Sequence, residues 1–445
     1  CWHFYAGLLV LPFLIWLSIT GALFVFKDQI DDWFHAELRL VTPSAHSNLP
    51  SSQLIEAALH ARPGKVFRYT GPAVLGRSAE VGIQTGSEKL LVYVHPQEGR
   101  ILGTLPERGS VAWTIRRLHS LKYFGPVARG FIEITAGWTI LLVLTGIYLW
   151  WPRGQKHGVV SVRGRPAQRV FWRDLHAVIG IMVSIALLFL AVTGMPWSVL
   201  WGAKANQLAN GHNFGYPAGV RVQVPMSDFK LSDNEKTVWS MEHAQIPHST
   251  ALTHEDHQGH GSAEQASPPA QPSMTPPPIG WDRAIAIFDQ AGIQAGYAVQ
   301  PPQGAHGVYS ASIYPADLEQ QRVIHIDQYS GKILLDMRYA DYGPLGRLME
   351  WGVNVHLGQE FGLLNQLLLV LACLATMVLA LSGAIMWWKR RPSRSLGVPP
   401  QPLDKGKLKV VTGILALGAL AFPLVGASFV LIVGTDWLLF RNRGN

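Results

Sequence analysis

Long apolar runs recur along the chain, and polar stretches of very different length separate them. A helix needs about 20 consecutive apolar residues to cross a bilayer core of roughly 30 Å. The runs meet this length and contain few charges. The pattern therefore predicts a membrane α-helical bundle with transmembrane helices at residues 1–26, 127–151, 177–200, 361–388 and 408–436.

Two long polar segments follow the first and the third apolar run, at residues 27–126 and 201–360. Each contains one short helical stretch, at 50–61, where a serine is expected as the cap, and at about 281–293. Each also contains two apolar strands around a turn closed by glycine, which predicts a β-hairpin. The strands are Leu91–His95 with Arg100–Leu102, and Val323–Asp327 with Lys332–Leu334. We therefore expect two small extracytoplasmic α+β domains.

Charged residues make up only 15% of the chain, which is low for a soluble protein. The net charge of +8 comes from residues 152–175 and 389–409, which hold thirteen basic and two acidic residues. Short basic loops stay in the cytoplasm. The bias predicts cytoplasmic loops at 152–176 and 389–407, and a membrane protein with a cytoplasmic amino terminus. It gives no reason to expect a nucleic-acid partner.

Four histidines stand beside the first four apolar runs and form two matched pairs. His3 and His176 each lie eighteen residues before the glycine of a Thr-Gly pair, and His119 and His356 each lie twenty-seven residues before the glycine of a Thr-Gly or Ser-Gly pair. This internal symmetry predicts a duplicated helix–domain–helix unit. The glycines of these pairs are Gly21, Gly146, Gly194 and Gly383.

The depth of each histidine in the membrane decides which two can share a metal. A helix of about 24 residues is roughly 36 Å long, far more than the separation of two axial ligands. His3 must therefore pair with His176 at the cytoplasmic face, and His119 with His356 at the outer face. Two imidazoles that face each other across a bundle are ligands that suit a haem iron. The sequence thus predicts two bis-histidine haem sites.

Further residues near the apolar helices are candidates for the same sites. Glu133 lies in the second run, where an acid is a functional candidate by default; it is either a proton or propionate partner, or an acid paired with Arg129. Arg116 and Arg117 precede His119 and either pair with haem propionates or face solvent. Four glycines either admit a flat macrocycle or serve helix packing: Gly7, Gly21, Gly180 and Gly194.

A stretch rich in histidine and proline, residues 243–278, lies within the second extracytoplasmic segment. By composition it is predicted to be a flexible linker. His254, His257 and His260 in this stretch are a weak candidate for a loose metal collector. Their spacing is irregular for a closed zinc site, so a polar linker without this function is the alternative.

Over roughly residues 1–390 the chain resembles the PepSY-associated transmembrane proteins. The resemblance lies in the Thr-Gly and Ser-Gly pairs, the two hairpins and the residues around the histidines, which read Trp2-His3, Leu118-His119-Ser120, Leu175-His176-Ala177 and His356-Leu357-Gly358. Members of this family include iron-uptake proteins of the inner membrane and ferric-siderophore reductases that carry b-type haem. The resemblance implies two haem b groups and two PepSY-like domains.

The leading hypothesis is therefore a membrane haem-b oxidoreductase that carries electrons outward and reduces a ferric siderophore or another ferric chelate. The chain has no dinucleotide-binding motif. Electrons must then come from a cytoplasmic donor, either a flavin reductase or quinol. One alternative is a membrane-anchored PepSY regulator of peptidases, or an assembly factor, without redox activity. Another is an iron-chelate transporter, although the helices show no paired breaks at mid-membrane.

Overall fold

The computed structural model divides the chain into two units. It describes residues 2–152, 159–211, 215, 224–234, 237–249, 276–391 and 405–440. The first unit, called the helical unit, comprises residues 1–30, 111–211 and 348–445. The second, called the sheet unit, comprises residues 31–110 and 212–347.

The helices account for most of the helical unit and for a small part of the sheet unit. In chain order they are α1 (Trp2–Phe24), α2 (Lys27–Phe34), α3 (Ala36–Arg39), α4 (Ser51–Ala61), α5 (Val111–His119), α6 (Pro126–Trp150), α7 (Arg169–Gly194), α8 (Trp201–Gly211), α9 (Leu231–Asn234), α10 (Trp281–Gln290), α11 (Pro344–His356), α12 (Gly362–Arg390), α13 (Lys405–Ala421) and α14 (Pro423–Phe440).

Within the described part of the chain, four helices are long and apolar enough to cross a membrane: α1, α6, α7 and α12. They correspond to the first four predicted transmembrane helices. Each packs against two of the others, since α1 and α7 both contact α6 and α12. Helix α7 begins at Arg169, eight residues before the predicted start, so that His176 lies two turns inside it.

The fifth predicted transmembrane helix, at 408–436, is instead two helices, α13 and α14, divided at Phe422. Pro423 has no amide hydrogen and its ring clashes with the preceding turn, which ends α13. Gly418 packs against Leu141, and Trp138 donates a hydrogen bond to Ser428 at 2.9 Å. In a straight helix residues 418 and 428 would be roughly 15 Å apart, yet their contacts on α6 are three residues apart. The chain therefore bends sharply here.

The sheet unit is built on one antiparallel sheet of eight strands. The strands are β1 (Lys65–Thr70), β2 (Ala79–Thr85), β3 (Glu88–Val94), β4 (Ile101–Pro106), β7 (Ala298–Gln300), β8 (Val308–Ile313), β9 (Arg322–Asp327) and β10 (Ile333–Arg338). Their order across the sheet is β10-β9-β8-β7-β1-β2-β3-β4. Both predicted hairpins are present, as β3–β4 and β9–β10.

The two segments that were expected as separate domains share this sheet. Strand β1 pairs with β7, with Tyr69 opposite Val299 and Thr70 opposite Ala298. Each group of four strands alone would leave a row of backbone groups unpaired at this edge, and pairing two such edges satisfies both. The pattern of apolar residues does not encode which edges meet, and for that reason the sequence suggested two domains.

Helices α4 and α10 cover one face of the sheet. The core under α4 and the core under α10 share Trp281 and Ile285. Pro50, rather than a serine, is the residue before α4. The hydroxyls of Ser51 and Ser52 donate to the carboxylate of Asp282 at 2.6 and 2.5 Å, and so link the first turns of the two helices.

On strands β9 and β10, a chain segment that includes part of the predicted linker packs against the other face of the sheet. Strand β5 (Met226–Lys230) pairs with β6 (Gln245–Pro247), and Ala244 and Ile246 are buried. Residues 243–249 are therefore folded: Ala244 joins a core with Val323, and the amide of His248 donates to the carbonyl oxygen of Pro225 at 2.9 Å. The remainder of the linker with His254, His257 and His260 lies outside the described residues, so the metal-collector hypothesis stays a prediction.

One buried imidazole stands out within this sheet. His325 on β9 has no exposed surface, and its Nδ1 forms a hydrogen bond with the hydroxyl of Ser310 at 2.8 Å. Its Nε2 is buried without a hydrogen-bond partner. Burial lowers the pKa of His325 to about 4. The folded sheet unit therefore holds this histidine in its neutral form.

This histidine is expected to make the protein sensitive to acid. In the unfolded chain the imidazole titrates near 6.5. Between pH 6.5 and about pH 4 the imidazole is protonated in the unfolded chain but not in the folded chain. The contribution of His325 to stability is therefore complete above pH 6.5 and is lost on acidification. The loss reaches about 3 kcal/mol at most. Thermal unfolding between pH 7.5 and 4.5 should therefore show a shallower decline in His325→Gln. The exposed His60→Gln is the control, and equal slopes for all three proteins would contradict the prediction.

Candidate functional site

The four histidines predicted as ligands lie at the ends of the helical bundle. His3 is near the start of α1 and His176 is inside α7. His119 and His356 are the last residues of the short helices α5 and α11, which precede α6 and α12. The ends of the bundle are called here the His3 end, which includes His176, and the His119 end, which includes His356.

Glycine allows the chain to turn from each short helix into the membrane helix that follows. Gly125 and Gly362 each come six residues after a histidine of the His119 end, and their φ angles are +94° and +56°. A side chain is strained in this left-handed region, whereas glycine adopts it without cost. The His-x5-Gly spacing therefore encodes a backbone turn and not a contact with a ligand.

In the first half of the bundle, each histidine is bound by a threonine on the neighbouring helix. The Nδ1 of His3 lies 2.9 Å from the hydroxyl of Thr145 on α6. In the second bond the elements are exchanged: the Nδ1 of His119 lies 2.9 Å from the hydroxyl of Thr20 on α1. Each of these threonines is the first residue of a Thr-Gly pair. The two bonds join α1 to the α5–α6 segment at both ends.

The second half of the bundle repeats this arrangement. The Nδ1 of His356 lies 2.7 Å from the hydroxyl of Thr193 on α7. The Nδ1 of His176 lies 3.1 Å from the hydroxyl of Ser382 on α12 and 3.0 Å from the carbonyl oxygen of Leu379. The Ser-Gly pair therefore has the same role as the three Thr-Gly pairs.

The glycine after each hydroxyl residue leaves room for the imidazole. A methyl group added at Gly21 would lie 3.3 Å from the Cε1 of His119, which is tighter than ordinary packing. Of the two predicted roles, Gly21 therefore serves the close approach of a flat ring and not ordinary helix packing. The ring is the imidazole of His119 and not a macrocycle. The other glycines face their histidines in the same way, at 3.4 Å for Gly146, 3.4 Å for Gly383 and 3.7 Å for Gly194.

The histidines of each predicted pair are neighbours in space. His3 and His176 are close enough to interact electrostatically, and so are His119 and His356. Burial lowers the pKa of His119 to about 4, and burial together with the nearby His119 lowers the pKa of His356 to about 3. Both imidazoles are therefore neutral near pH 7, the form in which a histidine binds a metal.

One nitrogen of each of these rings is uncommitted. Within the described residues, the hydrogen bonds of the four histidines are those of Nδ1, and Nε2 forms none. Each ring is also only half-buried, so part of its surface faces open space. A methyl group added at Gly7, one turn after His3 on the same side of α1, would meet nothing within 4 Å. There is thus room beside this imidazole.

Glu133 has a structural role. Its side chain is buried, and its carboxylate accepts hydrogen bonds from the amides of Leu200 at 2.8 Å and Trp201 at 3.2 Å, where α8 begins. A carboxylate at this position satisfies amides that have no partner within the helix. Arg129, the alternative partner, donates instead to the carbonyl oxygen of Trp197.

The two arginines before His119 differ in their surroundings. Arg116 stacks on Trp113, and burial lowers its pKa. Arg117 stacks on Tyr123. Within the described residues neither arginine forms an ion pair with a carboxylate. The part of the chain that the structure describes also contains no cluster of three or more histidine, cysteine or acidic side chains placed to hold a metal.

Sequence reasoning did not assign the hydroxyl residues to the site. Thr20, Thr145, Thr193 and Ser382 were noticed only as parts of repeated Thr-Gly and Ser-Gly pairs. The sequence did contain a signal for these residues. Each follows a histidine by a number of residues that is the same in both halves, and a helix-packing motif does not require so long a spacing. Which histidine each hydroxyl meets depends on the neighbouring helix, and the spacing along one helix does not contain that information.

Comparison with known protein families gives one match. The model of the family described as the PepSY-associated TM region matches residues 1–390. No curated protein matches the chain. The matched region includes the sheet unit, the four long helices and all four histidines.

The structure predicts that Glu133 stabilises the protein. Glu133→Ala would leave the amides of Leu200 and Trp201 without partners and should lower the free energy of unfolding by about 1–3 kcal/mol. Glu133→Gln keeps one acceptor oxygen and should cost less. Thermal unfolding of the purified protein in detergent measures both, with the exposed Glu88→Ala as the control. A Glu133→Ala variant as stable as this control would show that the cap is unimportant.

Proposed function

Because the chain belongs to the PepSY-associated transmembrane family, we propose that it is a membrane oxidoreductase that binds two b-type haems and reduces a ferric siderophore or another ferric chelate. The observation that supports this best is the two pairs of neighbouring imidazoles, each ring with its Nε2 uncommitted. Both pairs lie in a bundle of helices long and apolar enough to cross a membrane.

The donor set fits a haem iron. Neutral imidazole is a common axial ligand of b-type haem, and two of them on facing helices complete the coordination of the metal. Axial histidines in metal sites usually bond through their other nitrogen to a nearby acceptor, which fixes the ring. Each of the four rings has such a bond at Nδ1. His3 with His176 would hold one haem, and His119 with His356 the other.

Arg116 is the best candidate for binding a haem propionate. It lies one turn before His119 in α5, on the same side of the helix. Arg116 is half-buried. A partly desolvated guanidinium without a carboxylate partner has a cost that an anion bound beside it would offset. Arg117, which stacks on Tyr123, is a second candidate. Glu133 stays a predicted proton or propionate partner, because each of its oxygens accepts one amide and has a second lone pair.

The basic loops suggest the direction of electron flow. They follow α6 and α12. If these loops are cytoplasmic, as basic loops usually are, the His3 end would lie at the cytoplasmic face of a bacterial inner membrane and the sheet unit in the periplasm. A bound haem would supply reversible one-electron storage at each end. A two-electron donor, either a cytoplasmic flavin reductase or quinol, would release its protons and reduce two ferric ions to ferrous ions. Hard oxygen ligands hold the ferrous ion less tightly, so the chelate would release iron.

Optical spectra of the purified protein test this proposal. We expect a reducible Soret band of bis-histidine haem b. His119→Ala and His356→Ala should each lower the haem-to-protein ratio by about half, and His3→Ala and His176→Ala should remove the other half. His60→Ala, at an exposed position, is the control. The dithionite-reduced protein should be reoxidised by a ferric siderophore.

Two results would decide against this function. A colourless preparation would favour a regulator of peptidases or an assembly factor that has no redox activity. Haem that is present but is not reoxidised by any ferric chelate would separate haem binding from the proposed acceptor, and transport of the intact chelate into vesicles would then be the measurement that distinguishes a transporter.

A further inference from the structure

We propose that Thr20, Thr145, Thr193 and Ser382 are positioning residues that fix each of the four histidines in the tautomer with hydrogen on Nδ1. The lone pair is then on Nε2, which is the nitrogen available to a metal. This inference rests on the proposed function, since it concerns how the haem ligands are oriented. It assigns a role to residues that are not themselves ligands.

The single hydrogen of a hydroxyl group decides the tautomer. A threonine hydroxyl has one hydrogen to donate and two lone pairs that accept. The hydroxyl of Thr145 lies 2.7 Å from the carbonyl oxygen of Leu141, which can only accept. The hydroxyl hydrogen is therefore used, and the hydroxyl oxygen must accept from His3. In a neutral imidazole only one nitrogen carries hydrogen, so Nε2 of His3 has the lone pair.

At the other three positions the hydroxyl hydrogen is used in the same way. In each case the hydroxyl donates to a carbonyl oxygen of the preceding turn and faces Nδ1 of a histidine on the other side. The distances to the carbonyl oxygens are 2.7 Å from Thr20 to Trp16, 2.7 Å from Thr193 to Phe189 and 2.8 Å from Ser382 to Leu379. The four histidines therefore share one tautomer.

Other threonines in the bundle show which part of this arrangement is special. Thr139 donates to Thr135 at 2.7 Å, and Thr376 donates to Ala372 at 2.8 Å. A hydrogen bond to the preceding turn is thus common for a threonine in these helices. Neither Thr139 nor Thr376 forms a hydrogen bond with a histidine in the described structure. They are suitable controls because their replacement removes the same bond within the helix but no bond to a ligand.

The four positions are not equally sensitive. Thr145 is the one hydrogen-bond partner of His3 in the described structure, and Thr193 is the one partner of His356. His176 also has the carbonyl oxygen of Leu379 at 3.0 Å, which would hold Nδ1–H after loss of Ser382. Replacement of Thr145 or Thr193 should therefore have the larger effect, and replacement of Ser382 the smaller one.

Loss of the hydroxyl should change the haem affinity and the midpoint potential in a predictable direction. A hydrogen bond donated by Nδ1 makes the imidazole a more basic ligand, which favours ferric over ferrous iron. Thr193→Val removes the acceptor with little change of shape. We expect the affinity for haem at the His119 end to fall about tenfold or more, as is typical when the partner of a metal ligand is removed. The midpoint potential of the haem retained there should rise.

Haem titration of the apoprotein and optical redox titration of the loaded protein measure both quantities. Thr193→Val should change the haem at the His119 end alone, and Thr145→Val the haem at the His3 end alone. Thr193→Ser restores the hydroxyl and should restore affinity and potential. Thr376→Val should match the unmodified protein, and Ser382→Ala should fall between this control and Thr145→Val.

The outcomes separate this inference from the function on which it rests. If Thr193→Val binds haem with the affinity and potential of Thr376→Val, the hydroxyl has no positioning role, although haem binding itself would stand. If Thr193→Ser fails to rescue Thr193→Val, the effect comes from packing and the inference is again wrong. If the unmodified protein binds no haem, the proposed function fails and this inference fails with it.

Discussion

One hydrogen bond, repeated four times, joins the helices of the bundle to one another. In each case Nδ1 of an imidazole on one helix faces a hydroxyl oxygen on a neighbouring helix. The bond fixes the orientation of the ring, and it also joins two helices at one end. Ligand geometry and helix packing are therefore coupled, so that a change in the bundle would move the imidazoles. Buried polar contacts of this kind are expensive when broken and define a unique arrangement when all are made.

The equal spacing in both halves follows from this bond. His3 and Thr20 are seventeen residues apart on α1, roughly 25 Å along a helix, and His176 and Thr193 are the same distance apart on α7. Each of these helices thus contributes a histidine at one level and a hydroxyl at the other. Because both halves have the same rise between levels, the two histidines of each level have the same depth, as a shared metal requires.

Much of this could be predicted from the sequence, because it depends on residues close together in the chain. The four long helices, both hairpins and the histidine pairs follow from local patterns and repeated spacings. The break at Pro423 has a local cause, the proline itself. The joining of β1 to β7 and the cap formed by Glu133 depend on which distant elements meet. The sequence suggested that Glu133 is a proton or propionate partner or is paired with Arg129, and it did not show that both of its oxygens accept from backbone amides. No pattern along α6 indicates that the start of α8 lies beside it.

The uncommitted nitrogen alone does not distinguish a ligand from a buried core histidine; the space beside it does. His325 also bonds through Nδ1 to a hydroxyl, that of Ser310, and its Nε2 also has no partner. However, the side chain of His325 has no accessible surface, so nothing the size of a metal centre can approach it. The four histidines of the bundle are half-buried, and each has a histidine neighbour at its own level. These four combine an uncommitted nitrogen, open space and a second imidazole, which together are the requirements for axial ligation of a haem iron.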